Sequence, residues 1–286
     1  MNSFNKNRIY LLLNLILFSA LFSCSKESSP IATLPEDNSL NIEGYKLVWN
    51  DEFSGTDIDK TKWEHEVNAD GGGNNELQYY TDRSQNSFLE NGTLKIVAHQ
   101  EEYTSKGITR YYTSARLRTV NKGDWIYGRI EVRAKIPYGQ GLWPAIWLLP
   151  TNWVYGGWPK SGEIDIMEHV GFDLGKIHGS VHTEAYNHKI GTQKSGQTLI
   201  PNANSEYHVY AIEWSEDKID FFVDKTKYFS FANDNKGDYK TWPFNKKFHL
   251  LLNVAVGGDW PGNPTTNTIF PKVMQIDYVR VYERSI

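Results

Sequence analysis

Three acids close together in the run Ser161-Gly162-Glu163-Ile164-Asp165-Ile166-Met167-Glu168-His169-Val170-Gly171 have the type and spacing for chemistry. Glu163 and Asp165 are two apart, so on a strand they share one face. Ile164 and Ile166 take the other face, which suits a core. Glu168 is out of step by one residue. A regular strand would bury it unpaired, which is costly. A β-bulge at Ile166-Met167 adds one residue and returns Glu168 to the acid face. Glu163 and Glu168 then stand about four strand steps apart, roughly 13 Å between Cα atoms. Two glutamates leaning inward from there bring their carboxyls to ~5–5.5 Å, the separation of nucleophile and acid/base in retaining glycoside hydrolysis. Three acids so close cannot all ionise cheaply, so at least one pKa is expected to rise. A protonated carboxyl beside an ionised one is what such catalysis needs. Two other readings fit the same residues: a solvated acidic strand face, and a site for a divalent cation. The absence of Lys or Arg between Glu163 and Glu168 weighs against a solvated face, where signs usually mix.

Elements that could hold such a strand are legible along the chain. Thr93–Val97, Arg129–Ile136, Ile219–Asp224 and Gln275–Tyr282 alternate apolar and polar residues with period two, as half-buried strands do. Gly, Asn, Asp and Pro separate them, and no long capped helical period occurs after the N-terminal segment. Many short strands with turn signals predict an all-β fold, an antiparallel sandwich or a barrel. A curved sandwich face makes a long groove, which suits a polymer. Trp143 and Trp147 are four apart around Pro144, which disfavours a helix. As a strand they share a face, where indoles can stack on pyranose rings. Trp260 follows Gly257-Gly258-Asp259 in a loop and is expected to extend the groove. Trp125, Trp153 and Trp158 read as core or loop packing, and Trp49 as core.

The chain has 286 residues, with 10 Trp, 17 Tyr and 13 Phe, which is not a disordered composition. Its net charge is −4 with no basic stripe, which disfavours nucleic acid as a partner. The single cysteine, Cys24, excludes an internal disulfide and a paired-cysteine zinc site. Lys6 and Arg8 precede an apolar run, Ile9 to Phe22, short for a membrane span and right for a signal-peptide core. Leu21-Phe22-Ser23-Cys24 resembles a bacterial lipobox, with Phe22 bulkier than usual. The expectation is a lipoprotein signal over 1–23, a Ser/Pro-rich tether over 24–40 from a lipidated Cys24, and one catalytic domain over 41–286. Lys26-Glu27 resembles a surface-export signal. The protein would then be a monomer of the cell envelope, held to the outer membrane only by its lipid.

From about Tyr45 to Glu283 the sequence resembles glycoside hydrolase family 16, in particular its laminarinase (endo-β-1,3-glucanase) branch. The Glu163-Ile164-Asp165-Ile166-Met167-Glu168 run carries most of the likeness. Trp49–Phe53, Asn74–Thr81, Gly141–Pro150, Leu252–Gly258 and Asp277–Tyr282 support it in the right order. The resemblance implies a β-jelly-roll sandwich with its catalytic groove on the concave face. It implies Glu163 as nucleophile, Glu168 as acid/base and Asp165 as the helper beside the nucleophile. It also implies double displacement with retention, on laminarin-like and mixed-linkage β-glucans. The inserted Met167 matches the bulged subgroup, which agarases and related galactanases share. Agar or porphyran is therefore the alternative substrate, and a non-catalytic glucan-binding protein of this fold is a further one.

The resemblance places Trp143 and Trp147 against the sugar. It matches Asn75 and Arg116 to residues that hydrogen-bond sugar hydroxyls, and His182 to a histidine near the acid/base, able to donate to Glu168 or to a sugar. Laminarinases often carry an aromatic before the Asn74-Asn75 pair, where this chain has Gly71-Gly72-Gly73. No cofactor is implied for catalysis. A structural Ca²⁺ is implied on Asp277 with the backbone carbonyls of Glu52 and Gly92, hard oxygen donors of the kind calcium takes.

Overall fold

The computed structural model describes residues 40–285. The expected signal segment, Cys24 and nearly all of the tether lie outside the described residues. Within 40–285 the chain forms eighteen strands, numbered in chain order, in two sheets. The larger sheet runs Thr226–Ala232 (β16), Lys218–Val223 (β15), His208–Trp214 (β14), Gly128–Lys135 (β9), Lys272–Arg284 (β18), Thr93–Ser105 (β5), Ile108–Ser114 (β6) and Gln78–Tyr80 (β3). Tyr45–Asp51 (β1) adds to β18 and Ser87–Glu90 (β4) to β5. The smaller sheet runs Lys194–Leu199 (β13), Lys176–His182 (β12), Glu163–Glu168 (β11), Leu142–Pro150 (β10), Phe248–Val256 (β17), Arg116–Arg118 (β7) and Glu64–His65 (β2). Asp124–Trp125 (β8) pairs with β17. Pairing is antiparallel except between β3 and β6. The fold is the all-β jelly-roll sandwich expected from the strand pattern and the resemblance.

Alternation explains the larger sheet. In β9, Ile130, Val132 and Ala134 are fully buried, while Arg129, Arg133 and Lys135 on the other face are half-buried. They meet Ile146 and Leu148 of β10, Ile164 of β11 and Leu250, Leu252 and Val254 of β17 in one core cluster. Each fully buried Ile, Leu or Val contributes about 1.5–3 kcal/mol. The four alternating runs of the sequence all fall in this sheet. The smaller sheet is different, because β17 (FHLLLNVAV) is buried along its whole length. One face of β17 joins the core and the other, with Asn253 and Ala255, lies in the floor of the groove, so no alternation is legible there.

Tryptophan divides evenly between these two environments. Trp63, Trp125, Trp214 and Trp242 belong to the core, and Trp49 packs against it. Trp49 meets Trp63 and Trp125 edge-on at 5.7 and 5.4 Å. The other five face the groove. Among the described residues no helix is long and apolar enough to cross a membrane.

Candidate active site

β11 carries the three acids and contains the bulge. Against β10 its register runs Trp147↔Asp165 and then Ile146↔Met167, skipping Ile166. Against β12 it runs Glu163↔His182, Asp165↔Ser180 and Glu168↔His178. The partner strand therefore counts four steps from Glu163 to Glu168 while β11 counts five. The extra residue is absorbed at Ile166-Met167, both fully buried in the core. All three acids consequently face away from the core into two adjoining cavities of about 340 and 410 Å³. Glu163, Glu168 and Trp143 line both, while Asp165 lines the first.

β10 forms the floor beside them. Trp143, Ala145, Trp147 and Leu149 alternate onto the groove, and Ile146 and Leu148 point to the core. Trp143 Nε1 donates to Glu168 Oε1 at 3.0 Å. Trp147 Nε1 donates to Asn253 Oδ1 at 2.7 Å. Trp260, 38% exposed, stands edge-on to Trp143 at 5.5 Å and to His178 at 5.0 Å, and lines the second cavity.

Every acid is shifted towards its protonated form, and burial is the main cause. Burial, then the Asp165 charge, pushes Glu163 up to about 8, while His182 and a Trp158 hydrogen bond favour its charged form. Burial also raises Asp165, against a hydrogen bond to Glu163. Glu168 is raised well above the usual carboxylate range by burial, then by the Asp165 and Glu163 charges, with Trp143 opposing. Repulsion among the acids, the cause expected from spacing alone, comes second to desolvation.

His182 stands with Asp165 and Glu163 rather than with Glu168. Its Nε2 lies 3.2 Å from Asp165 Oδ2 and 3.9 Å from Glu163 Oε1. Ligand atoms of Glu163, Asp165 and His182 lie within 4.8 Å of one another, close enough to hold a cation. Burial nevertheless favours the protonated carboxyls, whereas a metal requires them ionised.

Arg116 reaches the first cavity but is 7% exposed. Its guanidinium is held by Glu66 (3.3 Å), Glu76 (3.7 Å) and the Tyr80 hydroxyl (3.3 Å). Asn75 lines neither cavity; it is exposed and donates to Asp259 Oδ1 at 2.9 Å. Its neighbour Asn74 lines both. The left-handed backbone of Gly71 to Gly73 and of Asn75 itself (φ 57°) turns the loop this way. A Cβ on Gly72 would fall 2.3 Å from Glu76 Oε1, so glycine lets the loop lie on that carboxyl. This rim offers glycine backbone where an aromatic could stack.

Sequence reasoning missed several groove residues. Trp153 and Trp158 line the first cavity, against their reading as core or loop packing. Trp158 contacts His182 (6.0 Å) and His188 (5.0 Å). Glu76, Asn253 and His188 are also on the wall. Their signals are weak because they come from loops or from a wholly buried strand. The nearness of Trp158 to Glu163 in sequence was the one usable clue.

Asp277 lies away from the groove, at a bulge of β18 between Ile276 and Tyr278. Its Oδ2 pairs with Arg133 Nη1 at 2.5 Å. A cation there would therefore use Oδ1 and backbone carbonyls and would share the carboxylate with a guanidinium. The Glu52 side chain is bound to Arg280 at 2.8 Å, which fits a role for Glu52 through its carbonyl alone.

A sandwich whose groove sets carboxyls among indoles has the make-up of a glycoside hydrolase. The comparison with known proteins makes that specific. Residues 73–280 match Glycosyl hydrolases family 16. A "Beta-glucanase" of Rhodothermus marinus is 46% identical over 275 residues, covering 93% of this chain and 92% of that protein. The solved laminarinase of Rhodothermus marinus superposes with a TM-score of 0.80 at 47% identity, covering 85% of this chain and 98% of that one. The laminarinase catalytic domain of Thermotoga maritima gives a TM-score of 0.80 at 41% identity, covering 85% and 100%. The chain belongs to glycoside hydrolase family 16.

Proposed function

We propose that this protein is a retaining endo-β-1,3-glucanase that hydrolyses laminarin-like β-glucans, with mixed-linkage glucans as a second substrate. The observation that carries the chemistry is the bulged strand, which sets Glu163, Asp165 and Glu168 on one face beneath an indole-lined groove. The likeness to β-glucanases and laminarinases supports the choice of glucan over agar or porphyran.

In this reading Glu163 attacks the anomeric carbon as the glycosidic bond breaks. Glu168 gives its proton to the leaving oxygen, and a glycosyl–Glu163 ester forms. Water then attacks the same carbon, Glu168 takes its proton, and the ester bond breaks with the β configuration restored. Burial keeps Glu168 protonated for the first step. His182 and the Trp158 hydrogen bond oppose the burial that raises Glu163, and the carboxylate form is the one that attacks. Asp165, hydrogen-bonded to Glu163 and facing His182, holds the nucleophile in place and shares its charge. Trp143 and Trp147 offer indole faces to pyranose C–H faces, and Trp260 extends that wall.

Reducing-sugar release from laminarin, lichenan, agarose and porphyran tests the substrate. Release from laminarin is expected, and activity on agarose without laminarin would overturn the reading. NMR of the first product is expected to show the β anomer; an initial α product would overturn retention. At the N-terminus, the proposed lipid on Cys24 predicts palmitate labelling of the expressed full chain and none in Cys24→Ala. Equal labelling of both would remove the anchor.

A further inference from the structure

The hydroxyl of Tyr80 joins three groups of the groove wall from behind. It accepts from Arg116 Nη2 at 3.3 Å and from Asn253 Nδ2 at 3.1 Å, and donates to Glu76 Oε2 at 3.3 Å. One donated and two accepted bonds use the full capacity of a phenol. Asn253 passes the connection on, since its Oδ1 accepts from Trp147 Nε1 at 2.7 Å. The Arg116 guanidinium lies over both the Tyr80 ring (4.4 Å) and the Trp147 ring (5.3 Å). Arg116, Asn253, Glu76 and Trp147 line the first cavity, but Tyr80, 1% exposed, lines neither. Tyr80 also belongs to β3 of the larger sheet, whereas Arg116, Trp147 and Asn253 stand on β7, β10 and β17 of the smaller one.

The order of donors in this chain has a consequence. An amide has a donor end and an acceptor end, and only the acceptor end can meet an indole N–H. Because Asn253 gives its NH₂ to Tyr80, its oxygen must face Trp147. Without the phenol oxygen the NH₂ end loses its anchor, and the amide is free to rock about the bond it keeps to the indole. The ring would then be held by an acceptor that is itself unanchored, and Arg116 would lose a partner on the same side.

We propose that Tyr80 is a positioning residue, whose hydroxyl acts through Asn253 and Arg116 to hold the Trp147 indole at the angle a sugar ring stacks on. This deepens the glycoside-hydrolase reading of the groove and rests on it. The proposal concerns binding, not bond breaking, so its mark is a change in KM with kcat preserved.

Tyr80→Phe removes the one oxygen and keeps the buried ring. On whichever polysaccharide of the panel the wild-type protein cleaves, its KM is expected to rise about fivefold, the worth of one net hydrogen bond, with kcat within about twofold. Trp147→Phe keeps an aromatic face but has no N–H, so adding Tyr80→Phe to it is expected to raise KM by less than about twofold. Asn253→Asp has no NH₂ for the phenol to hold, so Tyr80→Phe in that background should also cost less than about twofold. An unchanged KM in Tyr80→Phe, an equal rise in all three backgrounds, or a loss confined to kcat would each overturn the proposal. Melting temperatures of each variant separate these outcomes from unfolding. A wild-type protein that cleaved nothing in the panel would instead overturn the hydrolase reading, before any variant is made.

Discussion

At the scale of single residues, burial governs the acids more than their mutual distance. Glu163 has a folded-state pKa of about 8 against an ordinary 4.5. Between those values the folded state holds the proton more tightly than the unfolded chain. The associated stability is therefore fully present below about pH 4.5 and is lost as pH rises through about 8. Glu163→Gln, neutral at every pH, should melt above wild type at pH 8 and near it at pH 5. The expected gain is roughly 2–4 °C for each kcal/mol relieved. Thermal scans across pH check this, and identical wild-type and variant curves at pH 8 would contradict it. Glu163→Ser should lower hydrolysis by on the order of a thousandfold or more while oligosaccharide binding persists. Full activity in that variant would refute the nucleophile assignment. Legibility at this scale was uneven. The three acids and Trp143, Trp147 and Trp260 were readable because strand period or a glycine loop places them. Asn74, rather than Asn75, lines the cavities because of left-handed backbone at Gly71–Gly73, which identity alone does not reveal.

At the scale of elements, the decisive feature is the extra residue in β11. The non-bulged pattern Glu-Ile-Asp-Ile-Glu also keeps its acids on one face, so deleting Met167 should leave measurable hydrolysis. The deletion removes a fully buried side chain, so stability should fall by about 2–5 kcal/mol. Inserting one Ala between Met167 and Glu168 has the opposite geometry. It turns Glu168 towards the core, and activity should vanish. Assays of the two variants side by side check the bulge, and an active insertion variant would contradict it. The bulge was legible because an out-of-step Glu flanked by core residues has few affordable alternatives. β17 was not legible as a strand by alternation, because a central strand covered on both faces has no polar side to show.

At the scale of the whole molecule, two sheets divide the labour. The larger one contributes the alternating strands and half of the core, and the smaller one presents the groove. Of the ten tryptophans, five lie on the core side and five on the groove. Asp277 and Arg133 join β18 to β9 in the larger sheet, whereas the acids stand on β11 of the smaller one. If calcium shares Asp277, a site held at a hundredfold its Kd contributes ~2.7 kcal/mol, several degrees in a domain of this size. EDTA should then lower the melting temperature and added Ca²⁺ restore it. An unchanged melting temperature would remove calcium from the description.

The all-β class, the acid-bearing strand with its bulge, and the chemistry those acids can perform were legible in the residues alone. These depend on local rules: side chains alternate along a strand, and an unpaired carboxylate is excluded from a core. The folded arrangement selected which loops close on the strand. It brought Trp153, Trp158 and His188 to the acids, set His182 against Asp165 rather than Glu168, and placed Tyr80 of one sheet behind Trp147 of the other. Such contacts join residues far apart in the chain, and packing between sheets selects them. That packing also sets the protonation of the acids, because desolvation depends on everything that surrounds a carboxyl and not on its neighbours in sequence.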